Sequence, residues 1–353
     1  LLTLASNERI RLLGHMRLIF EIRDLQFATP ATVTRAGILH LSELEQWANF
    51  VASWVAGRKR EEAAGGKVPA AAADARAEKL VWLFDKYCRP TIAELHKHYK
   101  PLVPVLDFAL VQSLCHMLEG LLTVENVGST EDTSRFEVYF VFAAFWAFGG
   151  TLASSGGLDL RKLFSRWWKE QWKDVPFPNR GEIFDYFIDP DRHEFRLWSE
   201  IVPTTHFDSA TMSASFVTVP TSETVSISFW LGQLIERARP AMLVGTAGCG
   251  KTAIINGKLR GLGPAYVTTT INVNYFTNAA LFQRMLEDPL EKKVGRNYGP
   301  PGDKKLIYFV DDLNMAALDK YNTASNISLM RQHLAYGHVY DMTKLTQKVL
   351  LNT

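Results

Sequence analysis

The residues best suited to chemistry form one glycine-rich stretch in the second half of the chain. In order, this stretch reads Gly245, Thr246, Ala247, Gly248, Cys249, Gly250, Lys251 and Thr252, which matches the pattern G-x-x-x-x-G-K-[ST]. Glycines let consecutive main-chain N–H groups turn towards phosphate oxygens, and a helix that follows adds its positive N-terminal end. The pattern predicts that Lys251 contacts the β- and γ-phosphates of ATP or ADP, and that the Thr252 hydroxyl is a ligand of Mg²⁺.

Two carboxylates follow an apolar segment downstream of this stretch. The segment LIYFVDD ends at Asp311 and Asp312, and Asp311 lies sixty positions beyond Lys251. Because ligands of open α/β sheets bind at the carboxyl ends of the strands, we expect Asp311 to hold Mg²⁺ through water. Asp312 stands where many such ATPases place a glutamate that polarises the attacking water. Aspartate is one methylene shorter, so slow hydrolysis is expected; the alternative is a pair of surface acids after an edge strand.

Composition indicates an intracellular globular protein of about two domains. Among 353 residues, 39 are basic and 37 acidic, which gives no bulk field for nucleic acid or an anionic membrane. Cys88, Cys115 and Cys249 lack disulfide or metal spacing and suit a reducing compartment. Cys249 is interpreted as a tolerated small side chain rather than a redox group. A start at Leu1 and an end inside the strand-like KVLLNT predict a segment of a longer polypeptide.

Two segments have competing interpretations. Residues 138–153 carry no charge but fall short of the roughly 20 residues that a membrane-spanning helix needs, so a buried core helix is favoured over a membrane span. Residues 161–178 are basic and rich in tryptophan, a combination that could stack on nucleic-acid bases. The helical spacing of Leu163, Trp167 and Trp168 favours an amphipathic core helix instead.

Hydrophobic periodicity predicts the remaining elements. In the first half we expect short buried strands at 16–22 and 38–41, a flexible insertion at about 57–78, helices at 79–99 and 103–122, and either a small hairpin or an extended connector within 184–203. In the second half we expect a capped helix at 223–238, strands within 241–244, 265–276 and 304–314, and a helix at 278–288. Strands that alternate with helices predict a three-layer αβα core with a parallel sheet.

Longer segments around these motifs resemble a known family. PAMLVGTAGCGKT, GRNYGPPGDKKLIYFVDDLNM and LMRQHLAYGHVYD are similar to the third ATPase module of axonemal dynein heavy chains. The segment MRLIFEIRDLQFATPATVTRAGIL is similar to the end of the second module. The resemblance implies an AAA+ P-loop NTPase fold, with residues 1–43 ending the α/β subdomain of the second module. Residues 44–205 would form its helical lid and connector, and residues 206–353 would begin the third module.

The resemblance also implies roles for individual residues. The phosphate loop and Asp311 would correspond to the Walker A and Walker B motifs, and Thr218 to Thr221, with Val219 and Thr221 as contacts, would pass the adenine. Arg35, just before the predicted strand 38–41, would be a catalytic arginine that reaches the neighbouring module's γ-phosphate. Asp312 would occupy the place of the catalytic acid.

At the level of the whole protein, the resemblance implies ATP-driven, minus-end-directed motility of a coiled-coil-bearing motor in the cytoplasm and cytoskeleton, at the axoneme of cilia or flagella. Microtubules, dynein intermediate and light chains and neighbouring AAA+ modules would be its partners, with no nucleic acid and no membrane. Two alternatives remain open at this point: a nucleotide-bound structural module without turnover, and a part of another giant AAA+ machine, such as a midasin-like remodelling ATPase.

Overall fold

A computed structural model describes the whole chain except residues 1, 4–5, 7, 12, 18, 23, 35–36, 42–45, 102, 153, 156, 176 and 205–218. The chain divides into two compact units, Leu1–Glu45 and Gln46–Thr353. The larger unit holds a helical part, which precedes residue 205, and a loop-bearing part, which begins at residue 219 and carries the glycine-rich loop.

The smaller unit contains little regular structure. Its elements are β1 (Leu2–Thr3), β2 (Arg9–Ile10), which pairs antiparallel with β1, and α1 (Pro30–Val33). The prediction of buried strands at 16–22 and 38–41 is wrong for the described residues. These residues form no strand, and Ile19 and Leu39 are 96% and 92% exposed. A strand is held by hydrogen bonds to a neighbour, and among the described residues of this unit only β1 and β2 supply them to each other.

Among its described residues, the helical part contains six α-helices, two 3₁₀ turns and two short antiparallel hairpins. The helices and hairpins are α2 (Gln46–Ala64), α3 (Ala70–His98), α4 (Asp107–Leu121), α5 (Val124–Val127), α6 (Phe136–Gly149), α7 (Leu160–Gln171), β3 (Ser154–Ser155) with β4 (Leu158–Asp159), and β5 (Tyr186–Ile188) with β6 (Phe195–Leu197). The predicted helices and the β5–β6 hairpin are confirmed.

Aromatic side chains fill the core of this part. α6 is buried around nearly its whole circumference, as a continuous apolar sequence requires, and Phe140 packs edge-on against Phe84 with ring centroids 5.0 Å apart. Trp168 of α7 is fully buried in the same core. Among the described residues, none of the helices combines the length and apolarity that a bilayer crossing demands. The burial of α6 confirms the core-helix interpretation of residues 138–153. The amphipathic interpretation of α7 is confirmed with a different buried face, since Trp168 is buried but Leu163 is 37% exposed.

The prediction of a flexible insertion at 57–78 is wrong, because most of this segment is helical. α2 continues to Ala64 and α3 begins at Ala70, because alanine has the highest helix propensity and the segment contains many alanines. Arg76 is 1% exposed, lies 3.4 Å from a Glu62 carboxylate oxygen and donates to the Gly128 carbonyl. Val68, Ala72 and Ala73 form a small buried cluster of their own. The charges that suggested a solvated loop therefore hold two helices together.

The loop-bearing part alternates helices and strands. Its elements are α8 (Ser222–Glu236), α9 (Lys251–Arg260), β7 (Tyr266–Asn272), α10 (Ala279–Glu287), β8 (Glu291–Lys292), β9 (Asn297–Gly299), β10 (Lys305–Asp311), α11 (Ser325–Tyr336), β11 (His338–Tyr340) and β12 (Gln347–Leu350). β7 and β10 pair in parallel, and a second sheet has the order β11, β12, β9, β8.

One predicted strand of this part is absent. Residues 241–244, immediately before the glycine-rich loop, form no strand, and Met242 and Val244 are 72% and 53% exposed. Within the described residues no strand hydrogen-bonds to them, so an apolar sequence alone does not produce a ladder here. The predicted helix at 223–238 is confirmed as α8, with Thr221 as its N-cap.

Candidate functional site

The glycine-rich loop leads directly into α9. Gly248 and Gly250 have φ angles of 79° and 85°, in the left-handed region that side chains disfavour, and Gly250 is the N-cap residue of α9. Across the described residues, the main-chain N–H groups of 246–250 donate to no protein acceptor. Free N–H groups at the start of a helix suit a phosphate group, so the loop fits the predicted ligand.

Lys251 folds back over its own loop. Its Nζ donates to the carbonyl oxygens of Gly245 at 3.0 Å and Thr246 at 2.8 Å, and lies 3.7 Å from Cys249 Sγ. A Cβ at Gly245 would lie 2.9 Å from the same sulfur, so this position accepts glycine alone without a shift of Cys249. The lysine ammonium is therefore placed at the mouth of the loop, where a phosphate would meet it.

Thr252 and Asp311 connect the loop to the end of β10. The Thr252 hydroxyl donates to Asp311 Oδ2 at 3.0 Å, although 59 residues separate the two in the sequence. In the parallel pair of β7 and β10, Asp311 lies opposite Asn272, so both strands end at the edge of the sheet where the loop lies. A hydroxyl beside a single carboxylate suits Mg²⁺, which keeps several waters and takes few protein ligands. In the described parts of the chain, no group of three or more His, Cys, Asp or Glu residues forms a metal cluster.

Asp312 begins a sharp change of direction after β10. Its backbone is left-handed, with φ 53° and ψ 38°, and its N–H donates to Asp311 Oδ1 at 3.0 Å. Its carbonyl accepts from the Met315 N–H at 2.9 Å, which closes a 3₁₀ turn. Aspartate tolerates this backbone region better than most residues, because its short polar side chain can bond locally. The turn places Asp312 directly after the carboxylate that contacts Thr252.

The remaining predicted site residues are not brought to the loop by described contacts. Thr221 accepts a hydrogen bond from the Thr224 N–H at 3.2 Å and donates its own N–H to Thr224, so its described contacts cap α8. Val219 is 66% exposed. Thr218 and Arg35 lie outside the described residues.

Two contacts of residues near the site were not predicted from the sequence. The Tyr308 hydroxyl on β10 donates to the Leu286 carbonyl at the end of α10, at 2.5 Å, and burial raises the pKa of Tyr308 above its ordinary value. Arg239, shortly before the loop, pairs with Glu119 of α4. Neither contact has a local sequence signal, since the partners are distant along the chain.

Comparison with known proteins gives one consistent result. Residues 207–353 match the family described as P-loop containing dynein motor region, and residues 80–200 match the family described as Dynein heavy chain AAA lid domain. The chain is 48% identical over its whole length to the dynein alpha chain, flagellar outer arm, of Chlamydomonas reinhardtii. Over 99% of its length it is 46% identical to human dynein axonemal heavy chain 9. It spans 8% of the length of each of these relatives.

Proposed function

Because the chain belongs to the axonemal dynein heavy chain family, we propose that it is the ATP-binding segment of a dynein motor ring, with its loop in the third AAA+ module. The family is one of ATPases with a P-loop AAA+ fold and a helical lid, and that fold prediction is confirmed. The midasin-like alternative is not supported, since both matched families are dynein families.

One observation carries this proposal: the 3.0 Å hydrogen bond between Thr252, in the first turn of α9, and Asp311. The residues proposed to bind phosphate and metal are thereby brought together from two separate sequence motifs. An accidental glycine cluster would not predict that contact.

The chain's own residues would divide the work of binding as follows. The N–H groups of residues 246–250 and the Lys251 ammonium would bind the phosphates, and Thr252 with Asp311 would hold Mg²⁺ through oxygen atoms. Mg²⁺, when bound, supplies positive charge that neutralises the phosphate oxygens. Asp312 would orient the attacking water, and its short side chain would make turnover slow.

The consequences for the whole protein are also part of the proposal. We place the chain in a ciliary or flagellar axoneme, in a motor that moves along microtubules through segments outside this chain. Slow turnover in this module would regulate the main ATPase of the ring, and Arg35 would reach the neighbouring module's nucleotide. The names of the relatives, which include a flagellar outer arm chain and an axonemal chain, support this location.

Replacement of Lys251 tests the nucleotide site. In the complete heavy chain, Lys251→Ala should lower the affinity of this site for Mg-ATP about 100-fold, because a charged hydrogen-bond donor to the phosphates is lost. The measurement is photolabelling with azido-ATP at increasing concentration, with the label assigned by mass spectrometry to peptides of this segment. Lys304→Ala, at an exposed position in the loop before β10, is the matched control and should leave the affinity unchanged. Undiminished labelling of Lys251→Ala would refute the site.

A further inference from the structure

A charged pair ties the chain just before the glycine-rich loop to the helical part. Arg239 Nε donates to Glu119 Oε2 at 2.7 Å, and Arg239 Nη2 donates to Glu119 Oε1 at 2.9 Å. This two-bond fork fixes the orientation of both side chains as well as their distance. Trp54 Nε1 also donates to Glu119 Oε1 at 3.0 Å, so the carboxylate is held from a third direction.

The backbone delivers Arg239 to this position by a defined turn. α8 ends at Glu236, and Ala238 adopts a left-handed φ of 51°. The Arg239 N–H then donates to the Leu234 carbonyl at 2.8 Å, the bond that closes a Schellman motif at a helix end. Pro240 follows and restricts the next φ, so residues 240–244 alone separate the fixed arginine from Gly245.

The helices on both sides of the pair are in close contact. A Cβ at Gly120 of α4 would lie 2.6 Å from Gln233 Oε1 of α8, and a Cβ at Gly232 of α8 would lie 2.7 Å from Lys258 Nζ of α9. α9 begins at Lys251, so α8 contacts the helix that follows the loop and also ends in the turn that precedes it. α8 therefore lies next to both ends of the loop. Glu119 of α4 binds Arg239 and so holds the C-terminal end of α8 against α4.

The Glu119 carboxylate is ionised at neutral pH. The Glu119 side chain is 18% exposed and that of Arg239 is 41% exposed. Burial alone would raise the pKa of Glu119, but the hydrogen bonds and charge of Arg239, with the Trp54 hydrogen bond, hold that pKa below its ordinary value. The carboxylate therefore remains available to Arg239 throughout the neutral range.

We propose that Glu119 is a positioning residue for the nucleotide site: through Arg239 it fixes the path of residues 240–244 and so the placement of the phosphate-binding loop. Residues 240–244 form no strand with the described part of the chain, and Arg239, immediately before them, is held by Glu119. The inference rests on the proposed function, since it concerns the affinity of that same site.

A double-mutant cycle in the complete heavy chain tests the inference. Glu119→Ala and Arg239→Ala should each lower the affinity for Mg-ATP, read by azido-ATP labelling of this segment, by about two- to tenfold. The double variant should lose no more than either single variant, because both substitutions remove the same contact. Glu200→Ala removes an exposed ion pair with Arg196 in the β6 region and should leave the affinity unchanged, even if it lowers the unfolding temperature.

Each outcome of this experiment decides the inference. Unchanged affinity in Glu119→Ala, or losses of affinity that add in the double variant, would overturn the inference. The proposed function would remain intact in that case if the wild type is labelled and Lys251→Ala is not. Absence of labelling in the wild type would overturn both. If Glu119→Ala fails to fold, Arg239→Lys takes its place, because it keeps the charge and loses the fork; unchanged affinity in that variant would also overturn the inference.

Discussion

At the scale of single residues, the site depends on a few side chains with distinct tasks. Asp311 accepts two hydrogen bonds, from the Thr252 hydroxyl and from the Asp312 N–H, which orient its carboxylate towards the loop. Asp312 occupies a left-handed backbone position that aspartate and asparagine tolerate.

Replacement of Asp312 separates slow hydrolysis from binding without turnover. Asp312→Asn keeps the shape and the backbone tolerance but removes the charge that would polarise water. We expect nucleotide affinity to be unchanged and hydrolysis at this site to fall about 100-fold. The measurement is the fraction of radiolabelled nucleotide retained as ATP at this site after a single turnover, with the exposed Asp303→Asn as control. Equal retention of ATP in the wild type and the variant would indicate a structural nucleotide instead.

At the scale of elements, helix ends control the position of the site. A left-handed glycine, Gly250, immediately precedes α9, whereas Ala238, two residues after the end of α8, is in the same backbone region. An alanine Cβ is strained in this conformation, and glycine is the usual residue there. The strained backbone of Ala238 therefore lies in the turn that brings Arg239 to Glu119.

Removal of this strain should stabilise the protein. Ala238→Gly is expected to raise the free energy of unfolding by roughly 0.5 to 1 kcal/mol, since the gain at positive φ exceeds the added flexibility of the unfolded chain. The same substitution at exposed Ala52, inside α2, should lower it by about 1 kcal/mol. Chemical denaturation of the purified variants measures both values. A loss of stability in Ala238→Gly would contradict the assigned backbone strain.

At the scale of the whole molecule, the described residues of the larger unit form a main core and smaller separate clusters. The main core is aromatic and lies in the helical part, while a smaller cluster around Phe282 and Ile271 supports β7 and β10. All nine tryptophans lie between Trp47 and Trp230, so their fluorescence reports on the helical part and α8. Trp230 of α8 stacks on Phe142 of α6 with ring centroids 5.0 Å apart, which anchors α8 in the main core.

Truncation in the aromatic core should therefore be severe. Phe140 is fully buried, and Phe140→Ala is expected to lower the free energy of unfolding by about 3 to 5 kcal/mol through lost packing and a cavity. The 81% exposed Phe276 is the matched control, and its change to alanine should cost less than about 0.5 kcal/mol. Tryptophan fluorescence during denaturation measures the first effect directly. Similar losses in both variants would argue against a helical core organised around α6.

The sequence by itself determined the motifs, most helices and the family. The glycine-rich loop, the apolar strand before Asp311 and the periodicity of α3, α4, α6 and α7 are local signals, because each depends on residues a few positions apart. The AAA+ fold with its helical lid was implied by the resemblance to axonemal dynein heavy chains and is confirmed by the matched families. The roles assigned to individual site residues remain predictions.

Only the tertiary structure decided which segments find partners. The apolar runs at 16–22, 38–41 and 241–244 resemble strands, but a strand exists only where a neighbour accepts and donates its main-chain hydrogen bonds. The charged, alanine-rich segment 57–78 resembles a loop, but Arg76 and Glu62 make it part of two packed helices. The contacts of Glu119 with Arg239 and of Thr252 with Asp311 join residues 120 and 59 positions apart. No local pattern encodes such pairs, because their energy arises only when the folded chain brings them together.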